Sequence, residues 1–512
     1  MTLVLTDLIH HHARFRGDKP AIVFAGQRLN WLEFSECVNQ LSHALKRSGV
    51  GYGDKVASLL PNSLELITLY WAVTSIGAVV VPLSPLLQKQ GMINLLNNSD
   101  SRQVFLSKEA FEVLQVNLEA LNNIGLDDMI VVGDVMHASA YERFVEGAAT
   151  TAVNEPRVEP DDLFNIVYSS GTTGTPKGIE HTHLIRAQYG AHFAASFRMT
   201  PESVVLQTGS IIFNGAFVTL MPSFFLGAKY VLHPYFDAQK MIRAIKEERV
   251  THAMMVPSQI IAVLESPNCT EDNLGSLEMV LTLGAPLLDS VKARFTELLP
   301  GRLYELYGLT EGFVTILDKY DFERKARSVG CPPPGYQLRI VDESGRDMAA
   351  NEVGEIVGKG PIQMRGYYKQ PALTASTVRD GWIYTGDLGY VDEEGYLYLV
   401  DRKKDMILSG GVNVYPRDIE EVISTHPDVV ACAVFGVASD KWGETPVAAI
   451  VLRERILRDQ GRLDVADMKS WINERVEAKF QRVSDVMLLQ ALPQNVAGKT
   501  LKNKLQEMYH DH

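Results

Sequence analysis

YSSGTTGTPKG, Tyr168–Gly178, packs five small hydroxyl residues, three glycines and one lysine into eleven positions directly after the apolar Val167. Glycine costs conformational entropy when it is ordered, so a run this flexible needs a reason. A plain surface turn between two elements is one. A loop that wraps phosphate is the other, and the full string favours it. NIVYSS reads as a strand, and open α/β sheets bind ligands beyond the C-terminal ends of their strands. Glycines let several backbone N–H groups converge on an anion. Ser169, Ser170, Thr172, Thr173 and Thr175 add hydroxyl donors, Lys177 adds positive charge, and Pro176 stiffens the approach. The spacing is not that of the Walker A loop, in which glycine precedes the lysine and Ser or Thr follows it. Here Pro176 precedes Lys177 and Gly178 follows.

The chain around this loop has 512 residues, too many for one ordinary core, so two or more units are expected. Its 46% hydrophobic and 22% charged residues are those of a globular protein. A formal charge of -13 argues against nonspecific nucleic-acid binding, which needs a basic footprint. Cys37, Cys269, Cys331 and Cys432 are isolated, without the spacing of a zinc site, and fit a reducing compartment. The first twenty residues lack the basic-then-apolar order of a signal peptide, so a cytoplasmic location is expected. ITLYWAVTSIGAVVVPL approaches membrane-span length, but its serine, threonines, glycine and proline favour a buried helix, turn and strand. No integral membrane segment is expected.

Short apolar strands alternate with longer helices. KVASLL, QVFLS, MIVVG, KYVLH, THAMMVP and EMVLTLG read as strands, and LEFSECVNQLSHALKRSG, MIRAIKEE and SVKARFTELL as helices. This is α/β texture. Toward the end the texture changes, and beyond about residue 400 a small α+β domain is expected. Strand-like GEIVGKG, GYLYLVDR and ACAVFGV stand among Gly and Asp turns, with helices expected in DIEEVISTH and DMKSWINERVEAKF. There is no fixed-period repeat.

The phosphate-loop string closely resembles that of the adenylate-forming enzymes: acyl-CoA synthetases, aryl-CoA ligases, luciferases and peptide-synthetase adenylation domains. His181 and His183 continue it as the family does, and five further motifs follow in the family's order. GAP, Gly284, Ala285 and Pro286, resembles the segment lining the adenine pocket, although such a turn is common by itself. In YGLTEG, Tyr307–Gly312, the resemblance implies that Tyr307 packs on adenine beside Gly308, Thr310 reaches phosphate and Glu311 helps to hold Mg²⁺. A planar ring suits a purine and a hard carboxylate suits Mg²⁺. In YTGD it implies that Asp387 accepts from the ribose hydroxyls, as an ionised carboxylate can. In DRKKDMILSGG it makes Arg402 a ribose or phosphate contact, Lys404 the interdomain hinge, and Gly410 and Gly411 a loop that turns toward the site in the second half-reaction. LPQNVAGKTLKNKL resembles the catalytic-lysine loop with Lys499 as that lysine, although Gln494, Asn495 and Ala497 depart from the usual residues.

The resemblance therefore implies an α/β fold. A large N-terminal domain of layered α/β subdomains, 1–400, binds ATP and the acyl substrate. A small mobile α+β C-terminal domain, 401–512, carries the hinge and the lysine. Catalysis falls to Lys499, Thr310 and Glu311, with Ser170, Thr172, Thr173, Gly174, Thr175 and Lys177 holding phosphate. ATP, Mg²⁺ and coenzyme A are the expected cofactor and co-substrates, and a small carboxylic acid is the substrate. The reaction is acid–CoA ligation through an acyl-adenylate. Transfer to a separate carrier protein is the alternative within the family, and an inactive nucleotide-binding scaffold the alternative outside it. CoA is preferred because no carrier domain follows Lys499. A monomer and a homodimer both fit.

IIFNGAFVTLMPSFFLGAKYVLHP resembles the acyl-pocket helix region, with Phe213, Phe217, Met221, Phe224 and Phe225 as wall candidates, some of them plain core. Amino-acid-activating relatives carry aspartate where this chain has Asn214, and many CoA ligases carry histidine. No basic residue stands in 211–226 to pair with a second carboxylate, so an apolar fatty, alicyclic or aromatic monocarboxylic acid is expected.

Overall fold

The computed structural model describes residues 4–133, 139–153, 157–169, 177–409, 412–439, 442–453, 465–476, 478–494 and 500–510. The chain divides into two compact units: Met1–Ala326 with Pro332–Gln337 and Lys359–Ile383, and Arg327–Cys331 with Leu338–Gly358 and Tyr384–His512. Residues 384–400, expected in the larger part, group by compactness with the second unit.

The first unit is α/β. Among the described residues it holds two eight-stranded sheets. One runs Val314–Leu317, Leu303–Gly308, Met279–Leu283, His252–Met254, Val204–Gln207, Lys229–Leu232, Pro20–Phe24, Gln27–Asn30 in spatial order. The other runs Gly366–Tyr367, Lys177–Thr182, Leu163–Ser169, Val79–Pro82, Lys55–Leu59, Ser101–Ser107, Met129–Val132, Ser139–Ala140. Interior pairs are parallel, and antiparallel pairs occur toward the edges. Interior strands are apolar on both faces because helices cover both.

The apolar run resolves into the helix Leu64–Ser75, a turn at Gly77 with φ +72°, and the strand Val79–Pro82. Ser63 caps that helix by accepting from the Leu66 N–H. The helix is buried nearly all round, as an apolar helix inside a large core must be. Trp71 on it stacks on Phe224 with ring centroids 4.8 Å apart. Among the described residues no helix is long and apolar enough to cross a membrane.

Two helices matter for the site. His183–Ser196 packs on Asn214–Leu226, and Gly190 sets their approach: a Cβ there would lie 2.7 Å from Phe225 Cβ. Phe224 belongs to the aromatic core with Trp31, Phe34 and Trp71. It is one of the wall candidates that prove to be core.

The second unit is α+β. Residues 338–341, 354–358, 384–391 and 397–402 make one sheet. A second is built on the long hairpin Val429–Ser439/Gly443–Leu452, with Ile407–Ser409, Val412–Val414 and Asp485–Leu489. The hairpin alternates faces. Val434, Ala448 and Ile450 pack with Ile419, Ile423, Met468 and Ile472, while Ala433, Phe435, Val447 and Ala449 pack with Leu505. Period-two alternation covered on both sides explains both clusters. The helix expected to run to Phe480 stops at Arg475. A short turn Lys479–Gln481 follows, where Gln481 Oε1 accepts from the Ala478 N–H at 3.0 Å and takes over as a local cap.

Candidate active site

Strands Leu163–Ser169 and Lys177–Thr182 pair antiparallel, with Ser169 opposite Lys177 and Tyr168 opposite Gly178. The two ends of the opening string therefore lie opposite each other on paired strands. Ser170, Thr172, Thr173, Gly174 and Thr175 lie outside the described residues. Gly178 has a packing reason of its own: a Cβ there would lie 2.9 Å from Ile166 Cγ2 and 3.1 Å from Tyr168 Cζ.

Lys177 leads to the first constellation. Its Nζ stands 6.0 Å from the centroid of the Tyr367 ring. The Tyr367 hydroxyl donates to Glu311 Oε1 at 2.6 Å, and the Met364 N–H donates to the Glu311 carbonyl oxygen at 2.8 Å. Burial and the Glu311 carboxylate push the Tyr367 phenol well above its ordinary range, so it remains a donor. The lysine and the carboxylate expected at phosphate and metal thus meet across one tyrosine, carried by the strand Gly366–Tyr367, which pairs with Lys177–Thr182. The turn that presents Glu311 is tight. Leu309 N–H donates to the Phe313 oxygen at 3.1 Å and Gly312 N–H to the Leu309 oxygen at 3.1 Å. Gly312 has φ +109°, and a Cβ there would lie 2.1 Å from the Ile362 carbonyl oxygen, so no other residue fits.

Parallel strands Met279–Leu283 and Leu303–Gly308 pair Leu283 with Leu306, which sets Gly284–Pro286 beside Tyr307 at one sheet end. Gly284 makes the turn at φ +90°, Gly284, Ala285 and Pro286 are exposed, and Tyr307 is half-buried. A Cβ on Gly308 would lie 2.7 Å from the Phe313 oxygen, so that glycine serves the turn.

Behind Thr310 lies a buried polar chain. His181 Nε2 is 3.0 Å from the Thr310 carbonyl oxygen, and its Nδ1 is 3.2 Å from the Arg186 guanidinium. Arginine only donates, so Nδ1 accepts and the proton sits on Nε2. Burial, and then the Arg186 charge, hold the His181 pKa well below the ordinary value, so the ring is neutral. Arg186 also donates to Asn165 Oδ1 from Nε at 3.1 Å and to Asn214 Oδ1 at 2.9 Å. Asn214 Nδ2 donates to the Tyr189 hydroxyl at 3.1 Å.

Asp387 and Arg402 are cross-strand partners, with Nε to Oδ1 at 3.5 Å, and the Asp387 N–H donates to Thr385 Oγ1 at 3.1 Å. Lys404 is exposed in the turn that follows, which Asp405 N–H closes on the Arg402 oxygen at 2.9 Å. Gly410 and Gly411 lie outside the described residues, between strands that pair Ser409 with Val412. Lys499 also lies outside them. The stem of its loop is defined: Gln494 bridges to Thr500, and the Leu501 N–H donates to the Pro493 oxygen at 2.8 Å. Lys502 pairs with Glu420 at 2.8 Å just beyond.

Two residues of these constellations escape a reading by motif. Tyr367 stands in RGYYKQP, whose signal was a pair of tyrosines between a glycine and a proline. Arg186 lies three residues after His183, on the helix His183–Ser196 and outside 211–226.

Residues 9–368 match the AMP-binding enzyme family and 418–499 the AMP-binding enzyme C-terminal domain. The chain belongs to the AMP-binding enzyme family. This AMP-binding enzyme is 31% identical to the indoleacetate–CoA ligase of Aromatoleum aromaticum over 98% of each chain. It is 32% identical to the long-chain-fatty-acid–CoA ligase FadD13 of Mycobacterium tuberculosis, over 94% of this chain and 93% of that one. Its fold is similar to that of ATP-bound MatB from Rhodopseudomonas palustris, with a TM-score of 0.88 and 28% identity over 100% of this chain and 99% of that one. The AMP-binding enzyme is thus a nucleotide-binding, adenylate-forming ligase of the acyl-CoA synthetase-like superfamily, acting on carboxylic acids.

Proposed function

We propose that the chain is an ATP-dependent carboxylic acid–CoA ligase that works through an acyl-adenylate on an apolar fatty, alicyclic or aromatic acid. The observation that carries this reading is the convergence of Lys177 and Glu311 on Tyr367. In the first half-reaction a carboxylate oxygen of the acid attacks the α-phosphorus of ATP. A P–O bond forms, the bond to pyrophosphate breaks, and the acyl-adenylate remains. In the second, a thiol loses its proton as sulfur attacks the acyl carbonyl, and AMP leaves.

Positioning and charge neutralisation dominate such chemistry. Lys177 and the hydroxyl-rich loop bind phosphate, Tyr307 and Gly284–Pro286 receive the adenine, and Asp387 accepts from the ribose. The half-buried Glu311 carboxylate, held through one oxygen by Tyr367, suits Mg²⁺, which takes few protein ligands when phosphates complete its shell. Among the described residues no group of three or more His, Cys, Asp or Glu could hold a metal ion, so Glu311 would act together with the nucleotide. The ion would supply neutralisation of phosphate charge. Lys499 approaches the reacting oxygens for adenylation, and motion about Lys404 withdraws it for thioester formation.

The test is CoA-dependent AMP formation with ATP, Mg²⁺ and a panel of fatty, alicyclic, aromatic and dicarboxylic acids, with acyl-CoA read by mass. Matching AMP and acyl-CoA for one class of acid support the proposal. Acid-dependent ATP–pyrophosphate exchange without acyl-CoA moves the acceptor to a carrier protein. Silence in both assays rejects the reading.

A further inference from the structure

Arg186 is fully buried, and its charge has no carboxylate among the described partners. Its donors go to the Asn165 amide oxygen, His181 Nδ1 and the Asn214 amide oxygen. Its guanidinium carbon lies 4.7 Å from the Tyr189 ring centroid and 4.2 Å from that of Phe217. Neutral dipoles and rings satisfy its geometry and leave the charge uncompensated. A buried cation without an anion costs several kcal/mol, roughly, and an apolar side chain of similar volume would avoid that cost. Structure alone gives no reason to retain it.

The position supplies a reason. His181 connects Arg186 to the Thr310 carbonyl, inside the motif that carries Glu311. Asn214 opens the helix Asn214–Leu226, and a Cβ on the next residue, Gly215, would lie 3.0 Å from Leu283 Cδ1, at the strand end that leads into Gly284–Pro286. The guanidinium therefore sits beneath the sheet ends where the acid and the nucleotide are proposed to meet. Unlike Arg186, Asn214 is half-buried. Because arginine cannot accept, the Asn214 amide oxygen must face inward and its NH₂ outward. One N–H serves the Tyr189 hydroxyl, and the other has no acceptor among the described residues. Donation from a cation to the amide oxygen polarises that second N–H.

We propose that Arg186 and Asn214 form a positively biased donor subsite for an acceptor oxygen on the acid other than its reacting carboxylate. The favoured substrate class is then a mainly apolar carboxylic acid bearing one further oxygen function: a hydroxyl, a ketone or a second carboxylate. The inference rests on the proposed adenylation and narrows its substrate. It also revises the expectation drawn from 211–226, because the base lies on the neighbouring helix.

The experiment is acid-dependent ATP–pyrophosphate exchange with pairs of acids of matched size that differ only in that oxygen. For the wild type, kcat/KM for the oxygen-bearing member should exceed that of its hydrocarbon partner by about tenfold for a hydroxyl or ketone, the upper range of one neutral hydrogen bond, and by up to about 100-fold for a second carboxylate, whose charge assists the bond. Arg186→Met and Asn214→Leu should each bring the ratio to within about threefold of unity, and Arg186→Lys should restore part of it. A merely structural role would depress both members together. If Arg186→Met does not fold, Asn214→Leu at the half-buried position decides. No preference in the wild type, or an unchanged ratio in Asn214→Leu, overturns the subsite while leaving adenylation intact. No exchange with any acid overturns both.

Discussion

Replacing Tyr367 by Phe removes one oxygen and, with it, the hydrogen bond to Glu311. The O–H···O⁻ contact is 2.6 Å, short enough to count as charge-assisted. Such bonds contribute about 1.5–3 kcal/mol. Glu311 is half-buried, so water replaces part of the loss, and the lower end of that range applies. The Met364 N–H still holds the Glu311 backbone, so the side chain loosens without the turn moving. About 1.5 kcal/mol taken from the transition state corresponds to a roughly tenfold slower adenylation. Acid-dependent ATP–pyrophosphate exchange, measured across a Mg²⁺ titration, should show that fall in kcat/KM together with a higher half-saturating Mg²⁺. Thermal stability should change little. A variant within about twofold of wild type with an unchanged Mg²⁺ dependence would mean that Tyr367 does not position Glu311 for the reaction.

Other consequences follow from the same geometry. Burial pushes the His183 pKa down from 6.5 to about 4, and neither ring nitrogen has a hydrogen-bond partner among the described residues. The unfolded chain then binds the extra proton between those values, so stability present above the unfolded pKa is lost as pH falls. Between roughly pH 7 and pH 5 the loss from this residue is about 2 kcal/mol. The urea midpoint of His183→Leu should fall less over that interval than the wild type's, and equal slopes would refute the assignment. Gly312→Ala should cost at least about 2 kcal/mol, because backbone blocks its Cβ and its φ is left-handed. Gly395→Ala, with φ +86° and nothing within 4 Å, should cost only about 1 kcal/mol, and similar losses of melting temperature would undo that contrast. Lys499→Ala should lower pyrophosphate exchange by about 10²- to 10³-fold while supplied acyl-adenylate still reacts with CoA. Equal losses in the two half-reactions would reject its assigned role.

What a sequence displays is periodicity and punctuation, and those parts of the fold were legible. The helix Trp31–Arg47 announces itself by apolar spacing, with the Asn30/Glu33 capping box at its start. The run ITLYWAVTSIGAVVVPL separates into helix and strand at Gly77, whose φ of +72° only glycine adopts without strain. Motifs likewise singled out Lys177 and Glu311 as candidates, because each lies in a contiguous string. Contact between distant strings was not legible. Tyr367 reaches Glu311 only because Gly366 pairs with Glu180, and strand register is not written in either strand alone. Phe224 and Phe217 look equivalent on one helix. Phe224 packs against Trp31 and Trp71, and Phe217 stacks on Tyr70 beneath Arg186, a division set by elements that are remote in sequence.

Arg186 makes the same point about chemistry. Nothing in the string HTHLIRAQYG distinguishes it from a solvated helix arginine, which is what arginine usually is. Its meaning arises when Asn165, His181 and Asn214, from three different elements, close around it and leave its charge without an anion. His181 shares that dependence. With the guanidinium present, its Nδ1 must accept and its Nε2 proton must point at Thr310. Arg186→Met would release that constraint as well, so a fall in the ratio between paired acids, over and above any loss common to both, separates the donor subsite from the tautomer lock. Freeing the tautomer slows every acid alike, whereas removing the subsite slows only those that use it.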